Sequence, residues 1–309
     1  MNEKIMKRSK KIIESIKSEG LLGYLKRLHD LGMYRHAMKK IAYANRLNSS
    51  EALVHGHILS LPERTAGIKE ELLLYGVHEP LSTKLYQQHL QEGDIIFDVG
   101  TNLGYYITVA NTALSGNCKI FGFEPDPELY ELAKQNGAKL ASPVTMTHAA
   151  ASDSDKALQF YRSEVSNWGT IVPRECLQLS EKVNVSGVRV DSFAKKTGIE
   201  PTVLRMDIEG GELLALRGSK EILKSVRLIF IELHCVFLER HELEEIFSIL
   251  AEAGFESANW VDRYYDWPWS TTEAQDRSRK EGTLKDLKEF SIAKEYGVLG
   301  AFIFNKKAS

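Results

Sequence analysis

Four polar side chains at the ends of two apolar runs have the types and spacing needed for proton transfer. Asp207 and Glu209 stand at the end of the run at 203–208, and Glu232 and His234 stand at the end of the run at 227–233. Residues two apart on a strand point to the same face. If the two strands are neighbours, three carboxylates and an imidazole lie close together. Burying so much negative charge is costly unless a proton, a cation or a substrate shares it. We predict that these four residues are catalytic.

A glycine loop, residues 100–104, follows the apolar run at 94–100 and leads straight into a predicted helix. Gly100 and Gly104 let the backbone turn tightly and approach a ligand, and the helix N-terminus offers free amide groups to a carboxylate or a phosphate. The loop lacks the dinucleotide spacing G-x-G-x-x-G, because Asn102 stands at the second glycine position. Asp98 favours a ligand that carries positive charge, such as the ammonium group of S-adenosylmethionine, and would repel a pyrophosphate.

Three more polar residues follow the next two apolar runs. Glu124 closes the run at 119–125, where a carboxylate can accept both hydroxyl groups of a ribose. Ser152 and Asp153 follow the run at 144–150, where they can reach the edge of an adenine ring. Together with the glycine loop, these residues predict a site for S-adenosylmethionine. The alternative is a tight turn with unrelated surface acids.

The elements that position these residues alternate between two patterns from residue 94 onward. Short Val/Ile/Leu/Phe-rich runs predict strands, and the stretches between them predict helices at 105–114, 127–139, 212–224 and 241–253. Such alternation indicates an α/β fold with a mostly parallel sheet and helices on both faces. Two strands flanking a loop are predicted within 151–192, and a last strand at 298–306. Residues 167–170 either reach the active site or form a surface turn, and the aromatic residues at 260 and 264–269 form an acceptor pocket or a packed lid.

The first part of the chain differs from the rest in charge and pattern. Residues 1–40 carry a net charge of +7, whereas residues 41–309 carry −9. Isoleucines at helical spacing predict an amphipathic helix at the start, with more helix up to Leu53 and a short helix at 82–90 capped by Ser82 or Thr83. We therefore divide the chain into an N-terminal helical extension and connector, 1–85, and a Rossmann-like domain, 86–309.

Composition excludes several classes of protein. The net charge of −2 and the lack of a nucleic-acid-binding motif argue against a nucleic-acid partner, and no apolar run is long enough to span a bilayer. The basic start can contact a membrane surface, although a helix packed on the main domain is the favoured interpretation. Three scattered cysteines are too few for a disulfide framework or a zinc site, which predicts a cytoplasmic protein.

Several ordered motifs resemble those of the FkbM-family methyltransferases over residues 70–305. They are DVGTNLGYY, FGFEPDP, AASDSD, NWGT, VDSF, RMDIEGGE and IELH. The resemblance implies a class I methyltransferase fold, S-adenosylmethionine as cofactor, and O-methylation of a hydroxyl on a sugar or natural product. It further implies that the cofactor is lined by Asp98, Gly100, Asn102, Gly104 and Glu124, and the reaction site by Asp207, Glu209 and His234. The family often has a lysine where Arg205 stands, a change that leaves the chemistry intact.

A hydroxyl acceptor needs a base, and histidine suits that role near neutral pH. We predict that His234 is the base and that activity rises with pH through one ionisation near neutrality. Asp207 and Glu209 would orient the acceptor or hold a divalent cation; the metal-free version is favoured, because these carboxylates lack a recognisable metal-loop spacing. Glu212 is expected to cap the following helix. The alternatives are a nicotinamide-dependent oxidoreductase, disfavoured by the loop and Asp98, and a non-catalytic nucleoside-binding interaction module.

Overall fold

A computed structural model describes residues 49–63, 67–163, 168–173, 179–263, 276–294 and 297–305. The predicted N-terminal amphipathic helix, Asn167 and the aromatic residues at 264–269 lie outside this part of the chain. Residues 49–309 form one compact unit.

Strands and helices alternate along the described residues as the sequence predicts. The strands are β1 (Glu51–Val54), β2 (His57–Ser60), β3 (Ile95–Val99), β4 (Lys119–Phe123), β5 (Val144–Thr147), β6 (Ala150–Ala151), β7 (Ala157–Ser163), β8 (Leu179–Val188), β9 (Val203–Met206), β10 (Leu228–Leu233), β11 (Phe255–Arg263), β12 (Asp276–Thr283) and β13 (Val298–Asn305). The helices are α1 (Ile68–Tyr75), α2 (Pro80–His89), α3 (Tyr105–Ala113), α4 (Pro127–Gly137), α5 (Val190–Thr197), α6 (Glu212–Arg217), α7 (Arg240–Glu252) and α8 (Leu284–Ala293), with a 3₁₀ turn at Ile222–Lys224.

The main sheet has eight strands in the order β12-β11-β13-β10-β9-β3-β4-β5. The five strands from β10 to β5 are parallel, and β13 runs antiparallel to β10. The predicted mostly parallel sheet is therefore confirmed. From β3 the chain first moves outward through β4 and β5, and then returns to place β9 on the other side of β3. The carboxyl ends of β3 and β9 thus flank the point where strand order reverses, which is where such sheets bind ligands.

Two apolar cores cover the two faces of this sheet. Alternate residues of β3 show the division: Ile96 packs into the core that contains α1, α2 and α3, whereas Phe97 packs into the core that contains α5, α6 and α7. The central strands β3, β9 and β10 are buried on both faces, and for this reason their residues are mostly apolar.

The segment before the sheet differs from the prediction. Residues 51–60 form the antiparallel hairpin β1–β2, and not the helix expected up to Leu53. Its two-residue turn, His55–Gly56, has positive φ at both positions, the geometry of a tight β-hairpin. Val54 and Leu59 are buried in the same core as α3. The structure therefore places residues 49–85 in one unit with the sheet. The division into an extension and connector, 1–85, and a domain, 86–309, stays a prediction from the sequence.

Smaller differences concern helix and strand boundaries. Helix α2 begins at Pro80 with Glu79 as its N-cap residue, and the predicted caps Ser82 and Thr83 lie inside the helix, buried. Proline suits this first helical position, because the amide group it lacks has no partner there. The helix predicted at 212–224 is split into α6 and the 3₁₀ turn, and strands β11 and β12 were not predicted.

The packing of the hairpin β1–β2 against the core can be tested by mutation. We expect Leu59→Ala to lower the free energy of unfolding by about 2–5 kcal/mol, because it removes a buried side chain from a packed core. The neighbouring Ile58 points outward and is 54% exposed, so Ile58→Ala should change stability by less than about 0.5 kcal/mol. Urea unfolding followed by circular dichroism measures both, and equal effects would contradict this packing.

Candidate active site

A cavity opens at the carboxyl ends of β3, β4 and β9. In the register of the sheet, Val99 lies opposite Met206 of β9 and Phe123 of β4, so the loops that follow these strands meet. The cavity is lined by Gly100, Asn102, Phe123, Glu124, Pro125, Leu129, Ala150, Ala151, Phe160, Gly169, Thr170, Ile171, Asp207, Ile208 and Glu209.

The glycine loop lies directly against the end of β9. Gly100 has φ of +81°, and a Cβ atom at this position would fall 1.9 Å from the carbonyl oxygen of Asp207. Only glycine permits this approach. Asn102 also has positive φ, +53°, and Gly104 precedes the first turn of α3. Gly100 and Asn102 line the cavity, whereas Gly104 shapes the start of the helix.

Glu124 turns its carboxylate towards the glycine loop. The backbone amide of Asn102 donates to Glu124 Oε2 at 2.7 Å, and that of Asp126 donates to Oε1 at 2.9 Å. Burial raises the pKa of Glu124 to about 8, against the effect of these two hydrogen bonds. Each oxygen keeps a second lone pair that can accept a hydroxyl from a ligand in the cavity.

Two predicted residues after the third strand do not reach the cavity. Ala150 and Ala151 line it, whereas Ser152 and Asp153 do not. The reason is the pairing of β6 with β8, which carries the chain away from the cavity before residue 152. The backbone amide of Ser152 donates to Val188, and the Ser152 hydroxyl donates to Asp153 Oδ1. The expected contact of these two residues with an adenine edge stays a prediction.

Asp98 also lies apart from the cavity lining. It is buried, and its Oδ1 accepts a hydrogen bond from Arg205 Nη1 at 3.2 Å. Burial raises the pKa of Asp98, and the Arg205 guanidinium opposes that rise. The positive charge that Asp98 contacts is therefore a side chain of the protein, because β3 and β9 are paired with Asp98 opposite Arg205.

The four predicted catalytic residues meet around His234. Its Nε2 atom lies 3.0 Å from Glu209 Oε2, 3.3 Å from Glu232 Oε2 and 4.0 Å from Asp207 Oδ1. Strands β9 and β10 are indeed neighbours. However, β9 ends at Met206, and Glu209 reaches the histidine through a turn in which its own φ is +51°. Strand alternation therefore does not explain the position of Glu209.

A fifth member of this group was not identified from the sequence as a site residue. Glu212 is fully buried, and its Oε1 atom lies 2.8 Å from His234 Nδ1. The same oxygen accepts a hydrogen bond from the backbone amide of Gly210. The expected helix-capping role accounts for only one of these contacts. We call Asp207, Glu209, Glu212 and Glu232, together with His234, the acidic cluster.

The charges of the acidic cluster determine the protonation of His234. Burial by itself lowers the pKa of the imidazole, but the charges of Glu209 and Glu212 and their hydrogen bonds outweigh it, so the pKa is raised well above the ordinary value. Burial likewise raises the pKa of Glu209. The ionisation of His234, which the sequence predicts near neutral pH, is therefore displaced to higher pH.

The same group offers ligand atoms to a cation. Asp207, Glu232 and His234 each present one such atom, and these atoms lie within 4.8 Å of one another. A carboxylate on the second ring nitrogen, as Glu212 is here, is common for histidines that bind metals. The Nε2 atom, however, already has a carboxylate oxygen of Glu209 at 3.0 Å.

The long hairpin β7–β8 brings three further residues to the cavity. Gly169, Thr170 and Ile171 line it together with Phe160 of β7. A Cβ atom on Gly169 would fall 2.4 Å from the Phe160 ring, so glycine is needed for this packing. Of the two interpretations of residues 167–170, the described residues support the one in which the segment reaches the site.

The strand order and the loop after β3 define a class I methyltransferase fold. Residues 98–257 match the model of the methyltransferase FkbM domain. This match spans more than half of the sequence, and the chain belongs to the FkbM methyltransferase family. The predicted family is confirmed, and the nicotinamide-dependent oxidoreductase loses its support.

Two curated proteins are similar to this chain. The hexuronic acid methyltransferase AglP of Haloferax volcanii is 24% identical over 152 residues, which are 49% of this chain and 60% of that protein. The 2-O-methyltransferase NoeI of Sinorhizobium fredii is 27% identical over 200 residues, which are 58% of this chain and 79% of that protein. The chain thus spans 60% of the length of AglP, less than two thirds of it.

Among solved structures, an S-adenosylmethionine-dependent O-methyltransferase from Thermotoga maritima is 14% identical, with a TM-score of 0.40 over 84% of this chain and 86% of the other. The fold assignment rests on strand order and family, not on this likeness. Among the described residues, every helix is too short or too polar to cross a membrane.

The charge balance around His234 can be tested directly. We expect Glu209→Gln to lower the pKa of His234, because it removes the negative charge 3.0 Å from Nε2. Asp207→Asn is the matched control: its nearer oxygen is 4.0 Å away, so the fall should be smaller. NMR titration of the ring nitrogens measures both, and a pKa that Glu209→Gln leaves in place would contradict the assigned cause.

Proposed function

We propose that this protein is an S-adenosylmethionine-dependent O-methyltransferase whose acceptor is a hydroxyl group of a saccharide. The observation that carries the proposal is the position of the acidic cluster beside the glycine loop, at one cavity, in a member of the FkbM family. The names of AglP and NoeI, a hexuronic acid methyltransferase and a 2-O-methyltransferase, support a sugar as the acceptor class. A natural product with a comparable hydroxyl is the alternative acceptor.

The chemistry of the lining residues fits the cofactor. Glu124 has lone pairs for two ribose hydroxyls, and the exposed backbone at Gly100 and Asn102 allows close approach of a ligand. The apolar side chains of Phe160 and Ile171 suit a ring. When bound, S-adenosylmethionine supplies an electrophilic methyl group.

In this proposal His234 takes the proton of the acceptor hydroxyl. Its Nε2 atom faces Asp207 and Glu209, which line the cavity and can orient the hydroxyl. Its Nδ1 atom is held by Glu212 at 2.8 Å, which fixes the ring and stabilises the imidazolium that forms. In the transfer step the acceptor oxygen forms a bond to the methyl carbon, the sulfur–carbon bond breaks, and the hydroxyl proton moves to Nε2.

Two further predictions remain proposals. A cytoplasmic location is supported by Cys118 and Cys235, which are buried free thiols. Contact of the basic start of the chain with a membrane surface stays a prediction, because residues 1–48 lie outside the described part. No nucleic-acid partner is proposed.

The cofactor proposal predicts a specific loss of affinity. We expect S-adenosylhomocysteine to bind, and Glu124→Ala to weaken that binding by roughly 2–3 kcal/mol, the size of two lost hydrogen bonds to ribose hydroxyls. Glu131→Ala is the matched control, since Glu131 is exposed on the adjacent helix α4. Isothermal titration calorimetry measures both variants. A wild-type protein that binds NAD and ignores S-adenosylhomocysteine would refute the proposal.

The base proposal predicts both a mutant effect and a pH profile. His234→Ala should lower turnover by roughly 10²–10⁴-fold and leave the affinity for S-adenosylhomocysteine nearly unchanged. Turnover of the wild type should rise with pH through an ionisation above the ordinary histidine range, because the raised pKa keeps the base protonated at lower pH. His241→Ala, on the exposed face of α7, is the control. Transfer of labelled methyl groups to a panel of hexuronates and hexoses supplies the assay.

Chelation distinguishes direct base catalysis from a cation held by the acidic cluster. We expect EDTA to leave turnover unchanged, because the carboxylates of the acidic cluster lack the spacing of a recognised metal-binding loop. Activity that EDTA abolishes and Mg²⁺ restores would replace the metal-free mechanism with one in which Asp207, Glu232 and His234 bind the cation. An unaffected His234→Ala enzyme would rule out both.

A further inference from the structure

Arg205 is a buried cation between the glycine loop and the acidic cluster. It is 4% exposed. Its Nη1 atom donates to the carbonyl oxygen of Gly100 at 2.6 Å and to Asp98 Oδ1 at 3.2 Å. Its Nη2 atom donates to Asp207 Oδ2 at 2.7 Å. One planar group thus joins β3, the glycine loop and the acidic cluster.

These contacts divide the two oxygens of Asp207 between two partners. Oδ2 is bound to Arg205, and Oδ1 is the oxygen that lies 4.0 Å from His234 Nε2. Without the bond to Oδ2, the carboxylate is free to rotate about its Cβ–Cγ bond. The direction in which Oδ1 faces the histidine therefore depends on Arg205.

The opposite side of the guanidinium is supported by aromatic and polar groups. Its carbon atom lies 4.5 Å from the centre of the Tyr106 ring. The Tyr106 hydroxyl donates to Glu79 Oε2 at 2.6 Å, and Glu79 Oε1 lies 3.0 Å from His78 Nε2. The charges of Glu79 and Glu71 raise the pKa of His78 to about 10 although burial opposes this, so the imidazole stays protonated and paired. The guanidinium of Arg205 therefore binds its three hydrogen-bond acceptors through its nitrogen atoms and packs against the Tyr106 ring.

We infer that Arg205 is a positioning residue for methyl transfer, which holds the carbonyl of Gly100 and the carboxylate of Asp207 in one fixed geometry. The inference rests on the proposed function, since Gly100 lines the proposed cofactor site and Asp207 the proposed acceptor site. Arg205 acts through these two groups and does not itself line the cavity. A lysine carries the same charge but has a single nitrogen, so it cannot form the same fork with three acceptors.

The test compares three variants by methyl transfer to the acceptor found in the panel above. Arg205→Met should lower kcat by roughly 100-fold, the scale of a displacement of about 1 Å at a reacting group. Arg205→Lys should recover most of that loss, because the ammonium can still bond Asp207. Arg217→Met is the matched control: Arg217 forms a similar two-bond pair with Glu245 at the surface and should leave kcat unchanged.

A double-mutant cycle separates positioning from mere structural support. If Arg205 acts partly through Asp207, then Arg205→Met in an Asp207→Asn background should lower kcat clearly less than it does in the wild type, and the loss that remains reflects the Gly100 carbonyl. Losses that multiply, or a full kcat in the folded Arg205→Met enzyme, would overturn the inference. Thermal melts establish that each variant is folded at the assay temperature. If Arg205→Met is unfolded there, Tyr106→Phe replaces it, with an expected severalfold loss of kcat and the same lack of additivity.

The proposed function and the inference about Arg205 are contradicted by different results. A wild-type protein that neither binds S-adenosylhomocysteine nor transfers a methyl group would refute the proposed function and the inference with it. An active wild type with an unimpaired Arg205→Met variant would refute the inference alone.

Discussion

Two cationic side chains, Arg205 and His234, contact five carboxylates at the ends of three neighbouring strands. The site depends on this balance between positive and negative charge. Arg205 bonds Asp98 and Asp207, and His234 contacts the remaining carboxylates of the acidic cluster. Burying so many like charges without such partners would cost far more than a domain's net stability. The pairing of β9 between β3 and β10 is what brings the two cations and the carboxylates together.

The same balance of charge bears on the proposed proton transfer from a neutral acceptor. A histidine among carboxylates holds its proton strongly, and the same carboxylates stabilise the imidazolium that forms when it accepts one. The carboxylates therefore stabilise the imidazolium that the proton transfer produces. They also reduce the fraction of His234 that is neutral and able to accept a proton. This is the physical origin of the alkaline pH profile expected for the enzyme.

The cofactor end of the cavity follows a different principle, which is close backbone approach. Gly100 lies against the carbonyl of Asp207, and Gly169 lies against the ring of Phe160. Side chains at either position would separate the elements that form the walls. Because Arg205 bonds the carbonyl of Gly100 as well as Asp207, the loop at the proposed cofactor site and the carboxylate at the proposed acceptor site form one connected unit.

The sequence by itself determined the alternation of strands and helices, the glycine loop and the polar residues after β9 and β10, because these depend on local periodicity and residue type. Tertiary structure alone decided that Glu212 reaches His234 and that Asp98 faces Arg205, since both contacts depend on which strands are neighbours and in what register. It also decided that residues 51–60 form a hairpin and that Ser152 leaves the cavity, through pairings β1–β2 and β6–β8. Local patterns predict which face of an element is apolar, but contacts between distant residues, such as Asp98 and Arg205, which are 107 positions apart, are set by the packing of the whole sheet.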